Sequence, residues 1–391
     1  MKIIYGLEVF FPHISGVTIV TNRLAMNFGR QLAHRTWIIS ANTKAHFFKK
    51  TDPRGYVLIR LPSYLNPFRP NFRTCYFARR YIRFLLKEIK PDVIHIQDPL
   101  FISQALAREA KKNKIPVILT QHSNLSFVAA YLPKCLQKLG KKIYSQILVN
   151  FINQYIDVVI TPTETMKKDI LSWGVKRPIK VISNGINLKF FKPGQPNPNF
   201  LKKYYLSEYI TKPIVLYAGR LDKDKNLNTL MAAIPLVLKE IDCYFIFLGK
   251  GNLKDEMGKQ AKIGGYFDKL KFLKPISPGD TNLPECYQAA TVFVMPSAIE
   301  AQSLVTMEAM ACGLPVVASR GGALPELIKD KENGLLVDPY QPQAFSQAII
   351  DLLKNPEWAK KMGEKSLEMI QGHNFKLVLK KLADLYEQII G

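Results

Sequence analysis

Residues 291–319 read TVFVMPSAIEAQSLVTMEAMACGLPVVAS. TVFVMPS and LPVVAS are short apolar runs rich in valine, the signature of strands buried on both faces. Between them SLVTMEAMAC has helical character, and Gly313 follows as a helix stop. Strand, helix and strand in that order make a parallel crossover unit. The loop AIEAQ puts Glu300 at the carboxyl end of a strand, where ligands of doubly wound sheets bind. Glu308 falls about one and a half turns into the helix. The helix start offers free backbone N–H groups near Gln302, Ser303 and Leu304, a ready anion site. An anion site bracketed by two carboxylates fits a nucleotide sugar: diphosphate on the amides, ribose hydroxyls on one acid, sugar hydroxyls on the other. Taken alone, the pair equally fits a solvated helix residue and a helix-start charge.

The alternation extends outward in both directions. KPIVLYAGRL, CYFIFLGKG, KLKFLKPI and GLLVDP read as strands interleaved with helices such as LNTLMAAIPLVLKEI. An earlier series, KIIYGL, TWIIS, YVLIRL, PDVIHIQ, PVILTQH and DVVITPT, shows the same order with helices between. NGINLKFFKPGQPNPNF, with Pro, Gly and Asn at turn positions and no periodicity, separates the two as a linker. The prediction is an α/β protein of two doubly wound, Rossmann-like domains facing across a cleft. The first takes residues 1–185 plus a C-terminal helix at about 375–391. The second takes residues 186–374. A chain of 391 residues is long enough for two such cores.

Composition narrows the class. Hydrophobic content of 47% and charged content of 22% are those of an ordinary globular protein. Five scattered cysteines without a CxxC pair argue against a disulfide framework or a zinc site. MKIIYGLEVFFPHISG is broken by Glu8, Pro12 and His13 and reads as a first strand rather than a secretory leader. No apolar run approaches the roughly 18 residues of a membrane-spanning helix. The net charge is +24, and residues 1–190 carry a balance of +21 of it. That asymmetry points to an anionic partner for the first half.

Further loops carry charge at strand ends. In YAGRLDKDKNL, Arg220 and Lys225 follow a strand and suit a departing diphosphate. FPHISGVTIV places Gly16 at a strand-to-helix turn, and TQH places His122 at a strand end. Asp222 and Asp224 superficially match a metal-binding DxD but lie within the phosphate loop. His95 in VIHIQ reads as a buried strand residue.

Together these pieces resemble the retaining GT-B glycosyltransferases of family 4. The likeness runs through the Gly16 loop, PDVIHIQ, TQH, SNGIN, AGRLDKDKN, PSAIEAQSLVTMEAMACGLPVVAS and ENGLLVDP. It implies a hexosyl transfer from a UDP- or GDP-sugar, UDP-glucose for example, with retention of configuration. It implies no metal and no separate cofactor. Glu308 matches the residue that holds the ribose, and Glu300 the one that faces the transferred sugar. Arg220 and Lys225 match the diphosphate clamp, and His122 the histidine near the reaction centre. Gly16, Gln302, Ser303 and Leu304 complete the donor site. Two departures stand out. The family's first loop has two glycines where this chain has Ser15 and Gly16, and Ala301 and Gln302 replace a Gly-Phe pair after Glu300. The EAQS loop looks more like that of the diacylglycerol glucosyltransferases, and the chain also resembles the phosphatidylinositol mannosyltransferase type.

Residues 133–155, PKCLQKLGKKIYSQILVNFINQY, set Leu136, Leu139, Ile143, Ile147 and Phe151 at helical spacing. Lys134, Lys138, Lys141 and Lys142 lie mainly off that stripe, and FVAAYL precedes it. A basic amphipathic helix beside an apolar loop predicts contact with an anionic membrane. RRYIRFLLKEIK is expected to pack its apolar side on the sheet. The expected acceptor is therefore a membrane lipid such as diacylglycerol, and the expected location is cytoplasmic, peripheral on the inner face of the cell membrane. No nucleic-acid partner is expected, for want of a reading motif or stacking platform. The alternatives are a transferase acting on a glycan or small molecule, and an inactive nucleotide-sugar-binding protein.

Overall fold

The computed structural model describes residues 1–66, 69–124 and 137–391. The chain divides into two compact units, Met1–Asn184 with Val378–Gly391, and Gly185–Leu377.

The first unit runs β1 (Lys2–Gly6), α1 (Gly16–Arg30), β2 (Arg35–Ala41), β3 (Phe48–Asp52), β4 (Tyr56–Leu61), β5 (Tyr64–Asn66), β6 (Arg69–Thr74), α2 (Ala78–Ile89), β7 (Val93–Ile96), α3 (Phe101–Lys112), β8 (Val117–Thr120), α4 (Gln137–Tyr155), β9 (Val158–Thr161), α5 (Glu164–Ser172) and β10 (Ile179–Val181). Eight strands pair in the order β10-β9-β8-β7-β1-β2-β4-β3. All neighbours are parallel except β3, which runs antiparallel to β4 at the edge. The strand order reverses direction between β1 and β7, the switch point where such sheets open a crevice. Every residue of β7, β8 and β9 is buried, so their apolar runs reflect cover on both faces. Right-handed crossovers put α1 on one face and α2, α3 and α4 on the other. Glu109 of α3 takes ion pairs from Arg79 and Arg83 of α2, and Lys111 of α3 donates to the Gln154 carbonyl of α4.

The second unit runs α6 (Pro198–Lys203), β11 (Ile214–Ala218), α7 (Leu227–Leu238), β12 (Tyr244–Leu248), α8 (Lys254–Ile263), β13 (Leu270–Leu273), α9 (Asn282–Gln288), β14 (Val292–Met295), α10 (Leu304–Ala311), β15 (Val316–Ser319), α11 (Leu324–Leu327), β16 (Gly334–Val337), α12 (Pro342–Lys354) and α13 (Pro356–Ile370). Its sheet is wholly parallel, in the order β13-β12-β11-β14-β15-β16. That is the doubly wound order with its switch point between β11 and β14. The last helix, α14 (Phe375–Ile390), returns the chain to the first unit, where Tyr386 packs its ring 5.2 Å from Phe28 of α1. There Tyr386 hydroxyl lies 2.6 Å from His95 Nδ1, and Thr120 Oγ1 lies 2.6 Å from His95 Nε2. His95 is fully buried, as the sequence suggested, and burial pushes its pKa down to about 3.

Candidate active site

In the second unit the loops after β11 and β14 meet at the switch point. Lys225 Nζ lies 2.7 Å from Glu300 Oε1, joining the two loops through a half-buried ion pair. The next residue reinforces the join. Asn226 turns the chain at φ 54°, and its amide donates to the Pro296 carbonyl at 3.0 Å while Thr229 donates to its Oδ1 at 2.8 Å. Arg220 is held from its own loop, by the carboxylates of Asp222 and Asp224. Both aspartates of the DKD triplet therefore serve a guanidinium. Among the described residues no group of three or more His, Cys, Asp or Glu has metal-binding geometry. The GKGN loop abuts the Arg220 loop closely enough that a Cβ on Gly249 would sit 1.9 Å from the Gly219 carbonyl oxygen.

Glu300 is positioned by a segment that sequence alone did not single out. Ala323 N–H donates to the Glu300 carbonyl at 2.8 Å, and Gly322 passes so near that a Cβ there would lie 2.4 Å from Glu300 N. Three residues on, Ser303 caps α10: its Oγ accepts from Thr306 N at 3.3 Å and from Thr306 Oγ1 at 2.8 Å. Gln302 and Ser303 are buried at that helix start, and Leu304 is the first helical residue. Glu308 lies inside the helix and is buried, not on a solvated face. Tyr287 of α9 donates to its Oε2 at 2.6 Å. The phenol's ionisation is suppressed, first by burial and then by the carboxylate, so Tyr287 remains a donor. One unit thus gathers Arg220, Lys225, Glu300, the α10 start and Glu308 around one switch point.

In the first unit Gly16 is the first residue of α1 and Ser15 is its cap. Ser15 Oγ accepts from Thr18 N at 3.3 Å, and Ser15 N donates to Thr18 Oγ1 at 2.9 Å. Where the family carries a second glycine, this chain therefore has a capping box. His122 follows β8, and its Nε2 lies 3.0 Å from Gln97 Oε1 at the end of β7. With that carbonyl as acceptor, Nε2 carries the hydrogen. Burial pushes the His122 pKa down to about 4, so the ring is neutral at ordinary pH. Gln97 is a buried partner that sequence reasoning passed over, because an isolated glutamine at a strand end carries no pattern.

Of the four lysines expected to meet a membrane, Lys141 and Lys142 are exposed on α4. Lys134, Leu136 and the FVAAYL stretch lie outside the described residues, as does the side chain of Lys138. The predicted apolar stripe divides. Leu139, Ile143 and Ile147 are 57%, 52% and 57% exposed, whereas Phe151 is buried with Leu148 and Ile152. The helix anchors its C-terminal half in the core and leaves an apolar stripe beside Lys142 uncovered. No helix among the described residues is long and apolar enough to cross a membrane.

Two family descriptions match this chain: Glycosyltransferase Family 4 over residues 14–190, and Glycosyl transferases group 1 over residues 206–369. Among curated relatives, the alpha-monoglucosyldiacylglycerol synthase of Acholeplasma laidlawii is 26% identical, covering 91% of this chain and 89% of its own length. A D-inositol 3-phosphate glycosyltransferase of Corynebacterium glutamicum is 28% identical over 71% of this chain and 68% of its own. Among solved structures, the sucrose-phosphate synthase of Thermosynechococcus elongatus superposes with a TM-score of 0.78 at 22% identity, covering 99% of this chain and 98% of that one. Anabaena Alr3699/HepE in complex with UDP gives 0.77 at 17%, covering 99% and 100%. The two doubly wound sheets are those of GT-B glycosyltransferases, and the chain belongs to glycosyltransferase family 4, the retaining enzymes that transfer a hexose from a nucleotide sugar.

Proposed function

We propose that this enzyme transfers a hexose from a UDP-sugar, UDP-glucose foremost, to a membrane lipid of the diacylglycerol type. The second unit holds the donor. Glu308 takes the ribose hydroxyls, the amides at Ser303 and Leu304 meet the diphosphate with Arg220 and Lys225, and Glu300 faces the sugar. Lys225 has three donors, so it keeps Glu300 while giving another N–H to phosphate. Arg220, fixed by two aspartates, has donors left over and loses little freedom on binding. The first unit supplies Gly16, His122 and the acceptor. The acceptor hydroxyl oxygen bonds to the anomeric carbon on the face from which the C–O bond to phosphate breaks, and the leaving diphosphate oxygen accepts the hydroxyl proton. Positioning and charge stabilisation supply the rate.

The observation that carries the donor assignment is the Lys225–Glu300 ion pair beside a capped helix start at a switch point. The lipid acceptor is supported by two things. The likeness to an alpha-monoglucosyldiacylglycerol synthase extends over 91% of this chain, and α4 presents Leu139, Ile143 and Ile147 to solvent beside Lys142. UDP is supported by the UDP complexes of structural neighbours. The test is a panel of UDP- and GDP-hexoses offered with diacylglycerol in mixed micelles, with inositol phosphate and oligosaccharides as soluble acceptors. A glycosyl-diacylglycerol product with the donor's anomeric configuration is expected. Transfer to soluble acceptors alone would replace the lipid assignment, and donor binding without any transfer would leave a nucleotide-sugar-binding protein.

A further inference from the structure

We infer that the outer face of α2, with the edge strand β3 beside it, is a second docking surface that seats on an anionic bilayer; this rests on the lipid-acceptor proposal above. The helix uses three of its sides within the fold. Ile82, Leu85, Leu86 and Ile89 are buried. On the β3 side, Tyr81 stacks on Phe47 with ring centroids 6.1 Å apart, and Glu88 pairs with Lys49 at 2.7 Å. On the α3 side, Arg79 and Arg83 reach Glu109 at 2.5 and 3.1 Å. What remains is the stripe Phe77, Arg80, Phe84 and Lys87, at helical spacing and exposed. Phe77 is 70% and Phe84 65% exposed.

Single exposed apolar residues are ordinary, but contiguous ones mark a contact surface. Here the aromatics continue beyond the helix. Tyr76 and Phe101, an edge-to-face pair, are exposed at its N-terminal end, and Phe47 and Phe48 are exposed at the adjoining strand. The charge complements an anionic surface. Arg80 and Lys87 have no acidic partner among the described residues, Lys50 faces Asp52, and Glu88 and Glu109 are already neutralised by local cations. Phenylalanine interleaved with unpaired cations is the composition of an interfacial element. A single-stranded nucleic acid would need a basic groove, and a stripe on a convex helix provides none. The placement also agrees with α4. The helices α2, α3 and α4 form one layer on one face of the sheet, so the Phe77–Phe84 stripe and the Leu139–Ile147 stripe lie on the same side of this unit.

The experiment is co-sedimentation of the full chain with phosphatidylglycerol–phosphatidylcholine vesicles. It compares wild type with Phe77→Ser/Phe84→Ser, Arg80→Gln/Lys87→Gln, and Lys141→Gln/Lys142→Gln. Each α2 pair is expected to weaken partitioning by roughly tenfold or more. UDP affinity, unfolding temperature and turnover of lipid in mixed micelles should stay at wild-type values. Unchanged sedimentation of both α2 variants, with loss confined to the α4 lysines, would overturn this surface and leave the lipid acceptor standing. Absence of lipid turnover in wild-type micelles would sink the acceptor assignment itself. Tight binding of single-stranded RNA that the α2 variants abolish would overturn the bilayer in favour of nucleic acid.

Discussion

The Tyr287 hydroxyl donates to Glu308 Oε2 at 2.6 Å, and both side chains are buried. A buried carboxylate that keeps one fixed donor presents its remaining acceptor sites in a set direction. In the proposed donor site Tyr287 would therefore aim Glu308 at the ribose. Removing that hydroxyl leaves a buried acceptor short of a partner, at about 1–3 kcal/mol. Tyr287→Phe should weaken UDP binding by about tenfold. It should also narrow the preference for UDP over its 2′,3′-dideoxy analogue, both read by calorimetry. A loss of thermal stability with an unchanged preference would assign Tyr287 to the core alone.

Arg220 and Lys225, the proposed diphosphate clamp, are held differently. Arg220→Ala or Lys225→Ala removes a preorganised charge worth about 2–4 kcal/mol in the transition state, roughly a 30- to 800-fold loss of kcat/KM. Lys225→Ala has a second effect, because it strands Glu300 without its 2.7 Å partner. The double variant Lys225→Ala/Glu300→Ala should therefore lose less than the sum of the two single losses. Near-normal turnover in both single variants would remove the clamp.

The aspartates beside Arg220 bear on metal dependence. Asp222 and Asp224 both engage its guanidinium, and Lys223 and Lys225 flank them. Such a site repels a divalent cation. Activity should survive exhaustive EDTA, and Asp224→Asn should lower turnover modestly by loosening Arg220. Complete loss in EDTA with recovery on added Mg²⁺ or Mn²⁺ would contradict this.

His95, fully buried, and His122, half-buried, set one contribution to the pH dependence. Their folded pKa values, about 3 for His95 and about 4 for His122, lie below the unfolded value near 6.5. Between those limits the unfolded chain binds more protons, so stability is full above about pH 6.5 and falls as pH drops. Each group contributes a slope of up to about 1.4 kcal/mol per pH unit. Glu8, whose buried carboxyl is pushed up to about 8, acts in the opposite direction over the same range. The histidine contribution is therefore read as the difference between wild type and His95→Gln in chemical denaturation from pH 7.5 to 5, with the variant losing less stability as pH falls. The turnover profile should show no ionisation near 6.5 from His122, and a midpoint there that His122→Gln removes would mean the ring is solvated.

What the sequence disclosed follows its physics. Strands covered on both faces are continuous apolar runs, so β7, β8, β14 and β15 were legible, and with them the switch-point loops carrying Glu300 and Arg220. The edge strand β3, FKKTD, has exposed residues at four of five positions and no alternation, so it left no signature. The β5–β6 hairpin was equally silent. In RRYIRFLLKEIK the run RFLL reads as apolar, and only the helix placement shows Phe84 outside while Leu85 and Leu86 are inside. Tyr287 meets Glu308 from a different helix, 21 residues away, and no local pattern announces such a pair. Loops that approach through bare backbone are likewise invisible until the strands are assembled.

Gly322 is the sharpest of these. Its φ of 53° is left-handed, and a Cβ on it would lie 2.4 Å from Glu300 N and 2.5 Å from Glu300 O. Backbone cannot swing aside as a side-chain tip does, so Gly322→Ala must move the Glu300 loop. That loop carries the ion pair to Lys225 and leads into the α10 cap. A displacement near 1 Å costs on the order of 100-fold in rate. Gly265 separates this effect from backbone strain, since its φ is 72° and nothing lies within 4 Å of a Cβ there. Gly265→Ala should lose about 1–2 kcal/mol of stability from the left-handed conformation and keep its kcat. Gly322→Ala should lose similar or greater stability and, in addition, about 100-fold in kcat, with UDP affinity changed only a few-fold because Glu308 stays anchored by Tyr287. Equal kcat in the two alanine variants would show that Glu300 does not depend on the Gly322 approach for its position.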